Sequence, residues 1–575
     1  MKLETLVTDR RFVGAVVVLV GANLLIGNAS TAVWDQDEAA YAGFAKNMLE
    51  RGEWVVPEFP CAEPHRKVPL AFWLIAGSYA VCGVNEFVLR LPGVLAVVAT
   101  AASVWFGARF VLGAAVAKLA ALILLSCPFV LLMGKLALTD GPLLALETIA
   151  ALALLRGVVR PSWKATVVLW AAVAAGVLTK GPAILILVGG MFGFLAVFYP
   201  RRRNLVHLHP WLGLPAALLP LAIWAYLAWQ RDPGYVRFLW EWYVLRRVGG
   251  FVYGQAGLPG THLLFFFLGL MPWSGYLPAA LADAWRGIRR RRLALVLLGS
   301  WLFGGWVLWE LPLSKLPTYT LGAYPALALL LARQVRRNVT GRLAWSTSRA
   351  LRVGFGALIV VCGAVACAVL GIALWVGTGW SKALALLPTT VIAGMALYAH
   401  RCQRRGLTLP SVKTLLLGSL VGNWLVWVVL IPGLEPRRAA TRQIARTLAE
   451  LCTPDTTVVV VKRMSLPSLP FYVQQAGLRF EAIIERPPAG APVKLSKEED
   501  QRRRLDRTVS LYRSGAPYAF VLDEEQYTAL RGEWPDARAI RTEGWLADKF
   551  QKTGYVLLIP ASALRPDEGR RVNSP

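Results

Sequence analysis

The chain is expected to be an α-helical polytopic membrane protein with a small α/β soluble domain at its C-terminal end. Three observations point there. Of its 575 residues 56% are hydrophobic and 17% charged, and mean hydropathy is positive, which excludes a soluble globule. Apolar runs of spanning length recur as far as Ile431, and short basic clusters divide them. After Pro432 the charge density becomes ordinary and no long apolar run follows.

The first run, from Phe12 to Ala32, is long enough for a hydrocarbon core of about 30 Å. It exceeds a secretory h-region in length and lacks a clean small-residue cleavage site, so it is read as retained. The 62 basic against 34 acidic residues give a net charge of +28, which in a soluble protein would suggest nucleic acid. Here the basic residues cluster at Arg156 to Arg160, Arg201 to Arg203, Arg286 to Arg292, Arg333 to Arg342 and Arg401 to Arg405. Each cluster separates apolar runs, as cytoplasmic loops do, and no nucleic-acid partner is expected.

Between these clusters lie the runs 163–178, 183–198, 212–229, 263–281, 293–311, 316–331, 351–376, 383–399 and 414–431. Alternation puts Asp140, Lys180, the 230–262 loop, the 312–317 loop and everything after Pro432 on the outer side. The 33–67 loop joins them when the basic N-terminus stays inside. Three runs, 68–83, 91–110 and 114–133, occupy a stretch whose sidedness admits two full spans; the first is the shortest. About 13 spans result.

Residues 1–433 therefore form a membrane domain with a large first outer loop, 33–67, and 434–575 an outer soluble domain. In the latter, Thr457 to Lys462, Tyr518 to Leu522 and Tyr555 to Ile559 read as buried strands, behind a helix containing Ile444 to Leu451. The charged stretch Lys494 to Arg507 reads as a solvated helix or loop. No catalytic pattern stands out in this part. The seven cysteines, Cys61, Cys82, Cys127, Cys362, Cys367, Cys402 and Cys452, show no metal spacing.

The first outer loop concentrates the chemistry. Trp34-Asp35-Gln36-Asp37-Glu38 sets three carboxylates at a membrane boundary, where acids are costly unless they react or bind a cation. Beyond them Tyr41, Phe44, Ala45 and Met48 share one helical face, the pattern of a short interfacial helix. His65, Arg66 and Lys67 then lead the chain back to the membrane. Structural duties compete at each position: Asp37 as a helix cap, Asp140 at a helix start ahead of Pro142, the lysines snorkelling, Tyr319 in an aromatic belt and His262 at a span boundary.

Trp34 to Met48, Gly52-Glu53-Trp54 to Pro57, and Lys67-Val68-Pro69-Leu70 are followed in order by Leu138-Thr139-Asp140-Gly141-Pro142 and Thr179-Lys180-Gly181-Pro182. Then come His262 before a run ending in Pro272-Trp273-Ser274, and Ser314-Lys315-Leu316-Pro317-Thr318-Tyr319. In this order they resemble the GT-C fold, polyprenyl-phosphate-sugar-dependent glycosyltransferases, of the bacterial aminoarabinose (lipid A) transferase and protein mannosyltransferase kind.

The resemblance implies an inverting transfer of one sugar from undecaprenyl phosphate to a lipid, glycan or protein acceptor. The reaction would take place on the outer face of a bacterial inner membrane, with the C-terminal domain periplasmic. It implies Asp37, Glu38 and Asp140 as catalytic acids, and Tyr41, Lys67, Arg247, Lys315 and Tyr319 as donor-binding residues. Asp37, Glu63 and His262 form the implied set for a divalent metal, the one cofactor in view. A sugar leaving a lipid phosphate independently asks for a base on the acceptor and cations on the departing phosphate. Two positions depart from the aminoarabinose transferases: Ala40 replaces an arginine, and Arg66 replaces the acid before the loop lysine. The competing readings are a transporter or flippase of lipid-linked sugars and a membrane scaffold whose soluble tail binds a partner. A transporter calls for charges at the midplane and paired broken helices, whereas these charges stand at span ends.

Overall fold

The computed structural model describes residues 9–34, 37–57, 59, 67–241, 245, 256–377, 379–438, 440–461, 466, 468–482, 497–534, 536–546 and 551–566. Among them eight helices are long and apolar enough to cross a membrane: Glu86–Gly107, Asp140–Val159, Trp163–Lys180, Pro210–Arg231, Leu293–Glu310, Arg349–Trp375, Gly379–Arg404 and Thr408–Glu435. Shorter apolar helices run over Leu70–Cys82, Ala114–Leu124 and Ala183–Phe198.

Prolines explain where continuous apolar runs break. The 114–133 run divides into Ala114–Leu124 and Pro128–Leu132, and 263–281 into Thr261–Gly269 and a helix beginning at Leu277. Pro128 and Pro272 have no N–H to continue an i to i−4 ladder, so helices restart near them. Of the three runs competing for two spans, only Glu86–Gly107 keeps full length as one helix. Helix packing relies on small residues: a Cβ at Gly304 would meet the Leu187 carbonyl oxygen at 2.1 Å, so Ala183–Phe198 and Leu293–Gly305 touch backbone to backbone.

Within the first loop, Asp37–Arg51 is a helix laid across Leu70–Cys82. Tyr41 and Phe44 meet Phe72 with ring centroids 5.2 and 5.1 Å apart. The expected face of Tyr41, Phe44, Ala45 and Met48 is buried, and Ala39, Ala40 and Ala42 are buried as well. The helix is thus covered on more than one side and is not simply laid on an interface.

Its second cover is a sheet unit. Strands β1 (Thr457–Val460), β2 (Arg479–Ala482), β3 (Tyr518–Asp523), β4 (Ala537–Leu546) and β5 (Gln551–Pro560) form one sheet in the order β2-β1-β3-β5-β4. The β2-β1-β3 part is parallel and β3-β5-β4 antiparallel. Strands β2 and β4, at the two edges, were not expected. Their short or charge-interrupted sequences, Arg-Phe-Glu-Ala and Ala-Arg-Ala-Ile-Arg-Thr-Glu, are what edge strands carry to discourage further pairing.

Helices flank the sheet at Ala440–Leu451 and Lys497–Arg513, the latter over the charged stretch. The unit is tied to the membrane part. Tyr472 Oη accepts a hydrogen bond from Val33 N at 2.6 Å, and Arg442 pairs with Glu86 at 2.6 Å.

Candidate active site

A buried clamp fixes the start of the Asp37–Arg51 helix. Arg90, 1% exposed, holds Glu38, also 1% exposed, through Nε to Oε1 and Nη2 to Oε2, both 2.9 Å. Glu38 further accepts Trp34 N at 2.8 Å and Ala137 N at 2.9 Å, and Arg90 spends its remaining donors on the carbonyls of Asn28, Thr31 and Ala32. Burial alone would raise the Glu38 carboxyl. The Arg90 charge and these four hydrogen bonds outweigh it and hold the carboxyl below its ordinary 4.5.

Glu38, expected as a catalytic acid, is therefore placed as a structural one: both oxygens are saturated and closed to substrate. Its bond to Ala137 has a second effect. It fastens the approach to Asp140 beside the residue next to Asp37, so the two acids flank one fixed point.

Asp37 has the opposite surroundings. Its side chain is 49% exposed, and Oδ1 lies 3.3 Å from Lys67 Nζ. Lys67 donates to Tyr41 Oη and stands 4.9 Å from the Tyr41 ring centre. Tyr235 holds the lysine's backbone from both sides, donating to Lys67 O at 2.8 Å and accepting from Lys67 N at 3.1 Å. Three expected residues, Asp37, Tyr41 and Lys67, thus stand together.

A second acid–lysine pair faces the same region. Asp140, the first residue of its helix and 8% exposed, lies 2.6 Å from Lys180 Nζ at the end of Trp163–Lys180. Lys180 also stands 5.8 Å from the centre of the Tyr319 ring, which packs on Trp309 at 5.1 Å. One apolar cluster contains Val68 and Trp73, just past Lys67, together with Leu178, just before Lys180 and Tyr235. The two lysine-bearing termini are therefore neighbours. Lys180 is the residue that reading the sequence left out of the site; a lysine closing an apolar helix on the outer side was the available signal.

Lys315 and His262 belong to a separate, more closed cluster. Lys315, 5% exposed, donates to the carbonyls of Trp309 and Pro312 and lies 3.8 Å from Glu310 Oε2. His262 has Nδ1 3.4 Å from Glu310 and Nε2 3.2 Å from the Leu316 carbonyl. Carbonyl capping makes Lys315 a brace for the 309–316 turn, so its expected phosphate contact is not prepared here.

For the expected metal set, Asp37 faces Lys67 while His262 faces Glu310 and Leu316, and Glu63 lies outside the described residues, as does Arg247. Among the described residues no group of three or more His, Cys, Asp or Glu is arranged to hold a metal ion. No chemical step is assigned to a metal.

The charges gathered here define a class of site: paired carboxylates and lysines at the ends of apolar helices, suited to a proton transfer beside an anionic group. Residues 63–229 match the family described as dolichyl-phosphate-mannose-protein mannosyltransferase. The undecaprenyl phosphate-alpha-4-amino-4-deoxy-L-arabinose arabinosyl transferase of Edwardsiella ictaluri (strain 93-146) is 31% identical over 357 residues, 60% of this chain and 63% of that protein. The enzyme of the same name from Enterobacter sp. (strain 638) is 30% identical over 361 residues, 61% of this chain and 63% of the relative. The chain thus aligns with less than two thirds of these relatives' length. The crystal structure of ArnT from Cupriavidus metallidurans bound to undecaprenyl phosphate superposes with a TM-score of 0.73 at 21% identity, covering 95% of this chain and 98% of that one. The fold is the one that ArnT has, and the resemblance to GT-C fold transferases and protein mannosyltransferases stands.

Proposed function

We propose that this chain is an integral membrane glycosyltransferase that moves one sugar, with inversion, from an undecaprenyl-phosphate carrier to a lipid, glycan or protein acceptor. The observation that carries the reading is the pair of pairs, Asp37 with Lys67 and Asp140 with Lys180, at neighbouring helix ends. Asp37, open to solvent, is the base that takes the acceptor proton. Lys67 and Lys180 offer point charges to the phosphate as it gains negative charge, with Tyr41 and Tyr319 as hydroxyl donors beside them. Arg247 is proposed to join them on the donor phosphate.

We place the protein in a bacterial inner membrane with about 13 crossings, the shorter helices included, and the sheet unit, 434–575, in the periplasm. Donors of the aminoarabinose kind are the first to try, since similar proteins bear that name. The test is release of free undecaprenyl phosphate from a sugar-loaded carrier by the purified protein with an acceptor present. Turnover supports transfer; movement of intact carrier across vesicles without release supports a flippase instead.

A further inference from the structure

Glu147 is an acid the proposed reaction does not use. It lies seven residues beyond Asp140 on the same helix, about 10 Å further along the axis, in a segment long and apolar enough to cross the membrane. It is 5% exposed and has no hydrogen-bond or ion-pair partner among the described residues. Ionisable groups at such depth are expensive and are retained for a task.

Three elements meet at this carboxyl. A Cβ on Gly322 would approach Glu147 Oε2 to 2.3 Å, so the segment Pro317–Ala323, which carries Tyr319, comes close to the acid only because residue 322 is glycine. Trp301 anchors that glycine by donating to its carbonyl at 2.7 Å. The charges that face Glu147 are Lys180 from the neighbouring helix and Asp140 from its own. The Pro317–Ala323 segment brings Gly322, and Ala183–Phe198 brings Leu187 against that same glycine, neither of them charged.

We propose that Glu147 is a positioning residue for the Asp140–Lys180 pair, a second carboxyl behind it that steers the Lys180 ammonium when Asp140 releases it. Lys180 is held at rest by Asp140 at 2.6 Å. A phosphate gaining charge competes for that ammonium, and a second acid at the inner side limits how far the lysine follows it. The consequence for turnover rests on the transfer reading above; the effect on Lys180 rests on the Asp140–Lys180 pair and on the place of Glu147 behind it on the Asp140 helix.

Two measurements on the full-length protein in detergent separate these. The first is acylation of Lys180 by an amine-reactive ester, followed by peptide mass spectrometry. Glu147→Gln keeps the side-chain shape and is expected to change the Lys180 labelling rate about twofold or more, while Asp37→Asn leaves it unchanged. Gly322→Ala, which pushes the carboxyl aside, is expected to act in the same direction as Glu147→Gln. An unaltered labelling rate in both variants overturns the proposal whether or not the protein transfers sugar.

The second is a double-mutant cycle on turnover. Glu147→Gln is expected to lower kcat about tenfold with donor KM within about twofold, and to add nothing in a Lys180→Met background. Multiplying losses in the double variant would show that Glu147 does not act through Lys180 and would overturn the assignment. Failure of wild-type protein to release undecaprenyl phosphate would instead sink the transfer reading and leave the labelling result standing.

Discussion

Asp37 and Glu38 are adjacent in the chain and opposite in circumstance. Glu38 is closed off, its four acceptor positions filled by Arg90 and two backbone amides. Asp37, one residue earlier and about 100° around the helix, keeps half its surface in solvent and faces a lysine at 3.3 Å. The difference teaches which acid is available for proton transfer. A saturated buried carboxylate cannot take a proton without breaking its clamp, whereas a half-exposed one with an oxygen open to solvent can.

The comparison breaks most readily at Asp37. Asp37→Asn should reduce transfer about 1,000-fold while melting temperature and detergent elution stay at wild-type values. An active Asp37→Asn enzyme would remove the base assignment. The reverse is expected at Glu38. Glu38→Gln should cost about 3–5 kcal/mol of stability by leaving Arg90 buried and uncompensated, and it should appear as lost folded protein before lost turnover. A Glu38→Leu/Arg90→Leu pair should recover part of that loss, because replacing both partners removes the unpaired charge.

Weaker effects sharpen the picture. Lys67→Ala should raise the apparent donor KM about tenfold with less change in kcat, and an unaltered KM would take Lys67 off the phosphate. Acidification probes the clamp itself. Glu38 is held below its ordinary 4.5 in the folded chain, so its contribution is complete above that value and fades as pH falls through the lower folded value. Thermal stability should therefore decline on acidification below about 4.5, and Glu38→Gln should flatten the part of that decline owed to this residue. Tyr319→Phe is the mildest change, expected to lower turnover about threefold through one lost hydroxyl donor.

Much of the fold could be read without coordinates, because membrane solvation forces apolar length and basic loops into the sequence. The helix starting at Asp37, with Tyr41, Phe44 and Met48 inward, follows from helical periodicity, as do strands β1, β3 and β5 from their apolar runs. The broken helices near Pro128 and Pro272 were less legible, since hydropathy averages over a single missing N–H. Strands β2 and β4 escaped because edge strands hide their pattern under charge.

At the site, residue type and boundary position, together with the family resemblance, singled out Asp37, Asp140, Lys67 and Tyr319 as candidates. Their sorting was not accessible to local pattern. Glu38 looks like Asp37 in sequence, and only Arg90, 52 positions away, marks it as structural. Lys315 looks like Lys67, and only the carbonyls of Trp309 and Pro312 show that its charge is already engaged.

The sequence by itself determined that this protein is membrane-embedded and which motifs stand at the ends of its apolar runs. These follow from transfer free energies and charge asymmetry, both properties of composition along the chain. Only the tertiary structure decided which carboxylate is clamped and which is open, and that Lys180 belongs beside Asp140. Those outcomes depend on distances between residues remote in sequence, and both Coulomb attraction and desolvation change steeply over a few ångströms.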